Sequence, residues 1–257
     1  MAKLSAIVIT KNEELMIEDC LKSLAWADEI VLVDDHSEDK TVKIAKKFGA
    51  RVVLPLKNNS MDYSLPRNLG LAKANNDWVL YVDADERVTS DLSKEIQKVI
   101  SDPGYNYYAV PRKNIVLGRE LKHGGMYPDY VKRLFKKKHL KGWKGKLHEE
   151  PNIIGEIGHL GSALVHIKHE TLSEMVEKTN KWSVIEARLM YDAKHPQMNI
   201  PRFVTAMARE FWKRMVRHVA FLDGTIGIIY AMYQVFSRFV SYSKLWEMQV
   251  KNESGNL

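Results

Sequence analysis

Cysteine is nearly absent: Cys20 stands alone among 257 residues. No internal disulfide can form, so a disulfide-stapled fold is excluded and a reducing compartment is the simplest setting. Cys20 lies on an apolar helical face and reads as a packing residue. Proline is sparse, at 8 residues, and there is no collagen-like period, internal repeat or low-complexity tract. Long apolar runs are missing too. The longest uncharged stretch of the C-terminal third, Gly224–Ser237, has 14 residues, where a membrane-spanning helix needs roughly 20. The apolar start is too short for a signal peptide and runs straight into Lys11-Asn12-Glu13-Glu14 without a small-residue cleavage site. The mature protein is therefore expected to begin at its first core strand, inside the cell.

What remains is an ordinary globular composition, 45% apolar and 28% charged. The length suits one α/β domain with an appendage, or two small domains. Lysine and arginine (39) outnumber aspartate and glutamate (32), for a net charge of +7.

The first hundred residues alternate strand and helix. Ala6–Ile9, Ile30–Val33, Val52–Leu54 and Trp78–Val82 are short apolar runs that predict buried strands. Between them, Ile17, Cys20, Leu21 and Leu24 recur at helical spacing behind Asn12, an expected N-cap. A second helix through Val42, Ala45 and Phe48 stops at Gly49. Pro66 opens a third, and Leu92, Ile96, Val99 and Ile100 mark a fourth. This pattern predicts an α/β fold with a mostly parallel sheet covered on both faces. Ligands of such sheets bind beyond the carboxyl ends of the strands. Three polar clusters fall there: Thr10-Lys11-Asn12-Glu13, Asp34-Asp35-His36-Ser37 and Asp83-Ala84-Asp85.

Asp83 and Asp85 are the sharpest feature. Two carboxylates on alternate residues at a strand end can hold Mg²⁺ or Mn²⁺, which favour oxygen ligands shared with substrate phosphates. The competing reading is a solvated acidic turn. Among Asp34, Asp35 and Ser37, one group is expected to cap the helix that follows, leaving another for ligand. Arg67, in Arg67-Asn68-x-Gly70, suits a phosphate or base contact, against a surface ion pair.

From Tyr105 to His169 short apolar pieces, Tyr107–Val110, Val131–Phe135 and Leu164–Ile167, predict strands separated by loops. Lys132–Lys146 carries eight basic residues and no acid. It reads as a solvated basic face, a nucleic-acid patch or a docking surface for phosphate-bearing acceptors; no nucleic-acid motif accompanies it, and an anionic glycolipid or membrane surface fits the other motifs better than nucleic acid. The last third is helical. Thr171-Leu172-Ser173-Glu174 is a capping box. Residues 202–217 are amphipathic, with Phe203, Met207, Phe211 and Met215 on one side and Arg202, Arg209, Lys213 and Arg217 on the other. Such a tail suits a lipid interface or, equally, packing on the main domain or a second subunit in a homo-oligomer.

Together, Ala6–Glu13, the run Val33-Asp34-Asp35-His36-Ser37-Glu38-Asp39-Lys40-Thr41, Arg67-Asn68-Leu69-Gly70 and Tyr81-Val82-Asp83-Ala84-Asp85-Glu86 resemble, in order and spacing, the motifs of family 2 glycosyltransferases. Shorter pieces, Tyr127-Pro128-Asp129, Arg133-Leu134-Phe135, Leu147-His148-Glu149 and Phe221-Leu222-Asp223-Gly224, resemble the lipopolysaccharide core β-1,4-glucosyltransferase subgroup. The resemblance implies a GT-A fold, a Rossmann-like nucleotide-diphospho-sugar transferase domain over residues 1–170 with a donor half (1–104) and an acceptor half (105–170). Residues 171–257 would form a helical extension that associates with a membrane or oligomerises. It implies inverting transfer of a hexose, with UDP-glucose the expected donor, to a saccharide or glycolipid acceptor in cell-envelope glycan synthesis. The enzyme would be cytoplasmic and peripheral on the membrane. By position, Thr10 and Glu13 would line the nucleotide site, Asp35 would read the base and Arg67 would lie near the nucleotide. Asp83 would face ribose or metal, and Asp85 would bind the metal. The family's downstream acidic pair is replaced by His148-Glu149-Glu150, which leaves the base between Glu149 and Glu150, with Glu149 preferred. His166 is a further candidate metal or diphosphate ligand, against a structural strand histidine. Two other readings compete: a haloacid-type phosphatase with Asp83 as nucleophile, which would want threonine where Arg87 stands, and a non-catalytic nucleotide- or lipid-binding protein.

Overall fold

The computed structural model describes residues 2–56, 64–145 and 149–251, with the backbone of the last helix continuing to Ser254. The chain divides into two compact units, residues 1–112 with 129–166, and residues 113–128 with 167–257. Residues 113–128, expected in the acceptor half, group with the C-terminal helices.

In the first unit the elements run β1 (Leu4–Thr10), α1 (Ile17–Ser23), β2 (Glu29–Asp34), α2 (Thr41–Lys47), β3 (Arg51–Val53), α3 (Ser64–Lys73), β4 (Trp78–Asp83), β5 (Glu86–Val88) and α4 (Ser90–Ser101). After them come β6 (Tyr107–Val116), β7 (Arg119–Leu121), β8 (Asp129–Lys136), β9 (Trp143–Lys144), β10 (Glu150–Pro151), β11 (Gly158–His159) and β12 (Leu164–His169). Beyond Arg112 and His166, β6 and β12 belong to the second unit, as does β7. The main sheet has the order β3-β2-β1-β4-β8-β6-β12-β5.

The sheet is parallel from β3 through β4, where crossover helices join the strands, and again in the short β6–β11 pair. The β4–β8 and β8–β6 pairs are antiparallel, so the sheet is mixed rather than mostly parallel. The reason is in the chain: no helix crosses over between β6 and β8, and antiparallel strands need none. Val8, Leu32, Leu80 and Leu134 fill one face with Ile17, Leu21 and Leu92. Ile7, Val31, Val79, Tyr81 and Phe135 fill the other with Trp143.

Gly70 fixes how closely α3 lies on the sheet. A Cβ there would stand 2.4 Å from Ile7 Cγ2, so only glycine permits this approach. Asn12 does not cap α1. The helix starts at Ile17 behind Met16, and Asn12 has a left-handed φ of 55° and serves a loop contact described below.

The second unit carries α5 (Leu172–Asp192), α6 (Ile200–Phe211), a π-helical segment Trp212–Arg217 and α7 (Gly224–Ser254). Thr171 accepts from Glu174 N–H at 3.1 Å, and Glu174 Oε2 accepts from Glu170 N–H at 2.8 Å, a capping box displaced by one residue. Met175 and Tyr230 pack with Val116, Leu121 and Met126. Ala187, Met198 and Leu245 form a second core with Phe203. Phe211, grouped with Phe203 on the apolar side of this helix, is 42% exposed. No single helix among the described residues is long and apolar enough to cross a membrane.

Candidate active site

Register brings three strand ends to one edge of the sheet. Thr10 is paired with Asp34 across β1 and β2, and Ile9 with Asp83 across β1 and β4. The loops beyond them are stapled together. Asn12 N–H donates to Ser37 Oγ at 2.8 Å and Glu13 N–H to Thr41 Oγ1 at 2.8 Å. Glu14 N–H donates to Asp39 Oδ2 at 3.0 Å, and Asn12 Oδ1 accepts from Glu38 N–H at 2.8 Å. Asp34 is buried and accepts from Ser37 N–H at 2.9 Å. Most of the Asp-Asp-His-Ser-Glu-Asp-Lys-Thr signature is thus spent on holding two loops in register. Asp35 is left at the surface, its side chain 51% exposed and 2.8 Å from Lys11 Nζ. Thr10 is 3% exposed, and its Oγ1 is buried without a hydrogen-bond partner among the described residues.

The Asp83-Ala84-Asp85 turn splits its two acids between different surroundings. Asp83 Oδ1 receives Arg67 Nη2 at 3.4 Å, and Oδ2 receives Arg133 Nη2 in a shorter contact. Burial alone would raise the Asp83 pKa, but Arg133 and Arg67 overcome it and hold the carboxyl well below its ordinary range. With both oxygens committed to guanidinium groups, Asp83 is a poor nucleophile, which disfavours the phosphatase reading. Asp85 faces His166 instead, with Nε2 3.4 Å from Oδ2.

Glu86, fully buried, completes the framework. Its Oε1 accepts from Arg133 Nη2 at 2.8 Å and Arg112 Nη1 at 3.3 Å, and its Oε2 from Asp83 N–H at 3.0 Å. Arg112 also donates to Asp129 at 2.6 Å. Arg133 reaches this position through a bulge. The β6–β8 ladder pairs Tyr108 with Leu134 and Ala109 with Lys132, so Arg133 is the extra residue, turned inward as bulges beside active sites commonly do.

Arg67 links this framework to the candidate base. Its Nε donates to Glu149 Oε1 at 2.8 Å, and the guanidinium lies 4.9 Å from the Trp143 ring centre. Asn68 fixes Trp143 from both sides, donating to its carbonyl at 3.0 Å and accepting from its N–H at 2.7 Å. Arg67 Nη1 is buried and has no hydrogen-bond partner among the described residues. Glu149 is 14% exposed in its side chain; Glu150 is 70% exposed and pairs with Lys132 at 2.7 Å. His148 lies outside the described residues.

Sequence reasoning did not assign Glu86, Arg112, Arg133 or Trp143 a role. The available signals were Glu86 at the close of the Tyr81–Glu86 motif and Arg133 in Arg133-Leu134-Phe135, a charge inside the apolar run Val131–Phe135. A divalent cation fits what is present. Asp83, Glu86, Asp129 and Glu149 pair with Arg67, Arg112 and Arg133, whereas the ion pair described for Asp85 is with His166. Among the described residues no three His, Cys, Asp or Glu side chains converge on one point. Asp85 and His166 would therefore hold such an ion by two donors, with substrate oxygens completing it.

Comparison with known proteins places this geometry. A sequence model of glycosyl transferase family 2 matches residues 5–156. An uncharacterized glycosyltransferase of Rickettsia bellii (strain RML369-C) is 30% identical over 263 residues, 97% of this chain and 88% of the relative. The poly(ribitol-phosphate) beta-N-acetylglucosaminyltransferase TarS of Staphylococcus aureus is 33% identical over 124 residues, 45% of this chain and 22% of TarS. Among solved structures, TarS 1–349 is 18% identical, covers 97% of this chain and 92% of its own, and has a TM-score of 0.51. The same fragment in complex with UDP is 17% identical with a TM-score of 0.50. The fold is GT-A, a mixed α/β sheet with a C-terminal helical part.

Proposed function

This chain belongs to glycosyl transferase family 2, and from that premise we propose that it transfers a hexose from a UDP-sugar to a saccharide or glycolipid hydroxyl with inversion, Glu149 acting as the base. The observation that carries this reading is the tie of Glu149 through Arg67 to Asp83, which brings a candidate base and the Asp83-Ala84-Asp85 turn into one mesh. TarS, solved with UDP, supports the choice of nucleotide. Glucose as the sugar and envelope glycans as the product rest on the subgroup resemblance.

In this reading an acceptor oxygen bonds to the anomeric carbon as the bond from that carbon to the diphosphate oxygen breaks. The acceptor proton passes to Glu149. A single displacement inverts the anomeric centre. Arg67 keeps the Glu149 carboxylate in place, and Arg133 and Glu86 hold Asp83 rigid, so the site needs no reorganisation during the step. A divalent ion held by Asp85 and His166 would neutralise charge on the leaving diphosphate. Glu150, exposed and paired with Lys132, is not suited to the base role.

A panel of nucleotide sugars read by thermal shift, with and without Mn²⁺, followed by donor hydrolysis with the hits, tests this. UDP-sugars should stabilise the protein most, and more with Mn²⁺. Glu149→Gln should keep donor binding and lose turnover. Equal loss of donor binding in that variant would overturn the base assignment.

A further inference from the structure

The segment from Lys194 to Leu222 contains six lysines and arginines and one acid, Glu210. Glu210 is 8% exposed and takes Arg214 Nε at 2.8 Å, so this segment presents no exposed acid. On α6 and the π segment, Ile200, Val204, Ala208, Trp212 and Val216 recur every four residues, and all are exposed. Ile200 is 80% and Trp212 53% exposed. One residue further on, Arg209, Lys213 and Arg217 form a parallel exposed row. Rows at this spacing are the natural ridges of a helix surface. The wider turn of the π segment offsets the drift that such a row has on an α-helix, which keeps Trp212 and Val216 in line. Phe221 and Leu222, in the 3-10 turn Ala220–Asp223, add 49% and 59% exposed apolar surface at its end.

The opposite side of the same helix is already used. Phe203 packs against Phe239 with ring centres 5.9 Å apart and joins Ala187, Met198 and Leu245. Arg214 Nη1 donates to Gly124 O at 2.8 Å. The helix therefore has two apolar faces, and within its unit only one is covered.

We infer that the uncovered face docks on an anionic lipid bilayer. An apolar row that includes Trp212, beside a cationic row, matches a membrane surface, where apolar side chains enter the headgroup boundary and cations meet lipid phosphates. A second copy of the chain would bring the same cations against one another. A nucleic acid would meet the cations but leave the apolar row in water. No single described helix is long and apolar enough to cross, which suits a helix lying in the interface; Ile200–Arg217 and Ala220–Lys251, bent by 62°, have the length and composition to cross only together, and the carbonate wash below tests that arrangement.

The test is co-sedimentation of the full chain with vesicles of phosphatidylcholine alone or mixed with phosphatidylglycerol. The protein should bind only the anionic vesicles, strongly at about 0.15 M salt and weakly at about 1 M. The variant R209E/K213E/R217E should lose binding by about a hundredfold or more, and W212S/V216S should also release, with thermal shift checking that both variants are folded. Three outcomes overturn the inference: no binding of the folded wild type to anionic vesicles, binding indifferent to charge reversal, or retention through alkaline carbonate, which marks an inserted span. Self-association in sedimentation velocity that W212S/V216S abolishes, without lipid binding, would assign the face to a second copy instead.

Discussion

Arg67 holds Glu149 by a single charged hydrogen bond, Nε to Oε1 at 2.8 Å, while Trp143 supports the guanidinium plane from 4.9 Å. Lysine would keep the charge but not the planar fork. Arg67→Lys should therefore lower kcat for donor hydrolysis by about a hundredfold, the scale of a misplaced catalytic group, with little change in donor KM. A raised KM at unchanged kcat would show that Arg67 binds the nucleotide instead.

Arg133 is buried and neutralises two acids at once, Asp83 and Glu86. Arg133→Leu leaves Asp83 only Arg67 at 3.4 Å and Glu86 only Arg112 at 3.3 Å among the described ion pairs, and breaking a buried pair from one side costs about 3–5 kcal/mol. A fall in Tm of roughly 10 °C is expected, measured by scanning calorimetry. An unchanged Tm would mean that the acids find water or another cation.

Gly70 is the last residue of Arg67-Asn68-x-Gly70, and its role is steric. The Cβ of Gly70→Ala would meet Ile7 Cγ2 at 2.4 Å and Val33 Cγ2 at 3.3 Å. Overpacking of this kind costs about 1–3 kcal/mol, visible as a lower urea midpoint.

Glu29 ties β1, β3 and the turn after α3 together. It accepts from Asn75 N–H at 2.8 Å and Arg51 Nη2 at 2.6 Å, and also from Ser5. Burial would raise its pKa, but the hydrogen bonds from Ser5, Asn75 and Arg51 bring it below the ordinary value. A depressed carboxylate gives stability that is present above its unfolded pKa of about 4.3 and lost as pH falls through the lower folded value. Tm should fall on acidification below that point, and Glu29→Gln should have a shallower acid slope. Identical slopes in the two proteins would refute the linkage.

The sequence by itself determined the parallel half of the sheet, because four short apolar runs alternating with helices admit few other arrangements, and it marked the strand ends where polar residues gather. Asp83 and Asp85 stood out as chemistry because charged groups beside a buried run are costly unless used, Arg67 because of its place before that strand, and Glu149 only through the family resemblance. Only the tertiary structure decided how the acids divide their work. Asp34 and Asp83 look alike in sequence to Asp35 and Asp85, yet one of each pair is locked into loop or arginine contacts and the other is left open. Those contacts come from Ser37, Arg67 and Arg133, and the last is set by a bulge whose position depends on how β6 and β8 pair. Local spacing cannot carry that information, since it arises when strands distant in sequence choose a register and turn one residue inward.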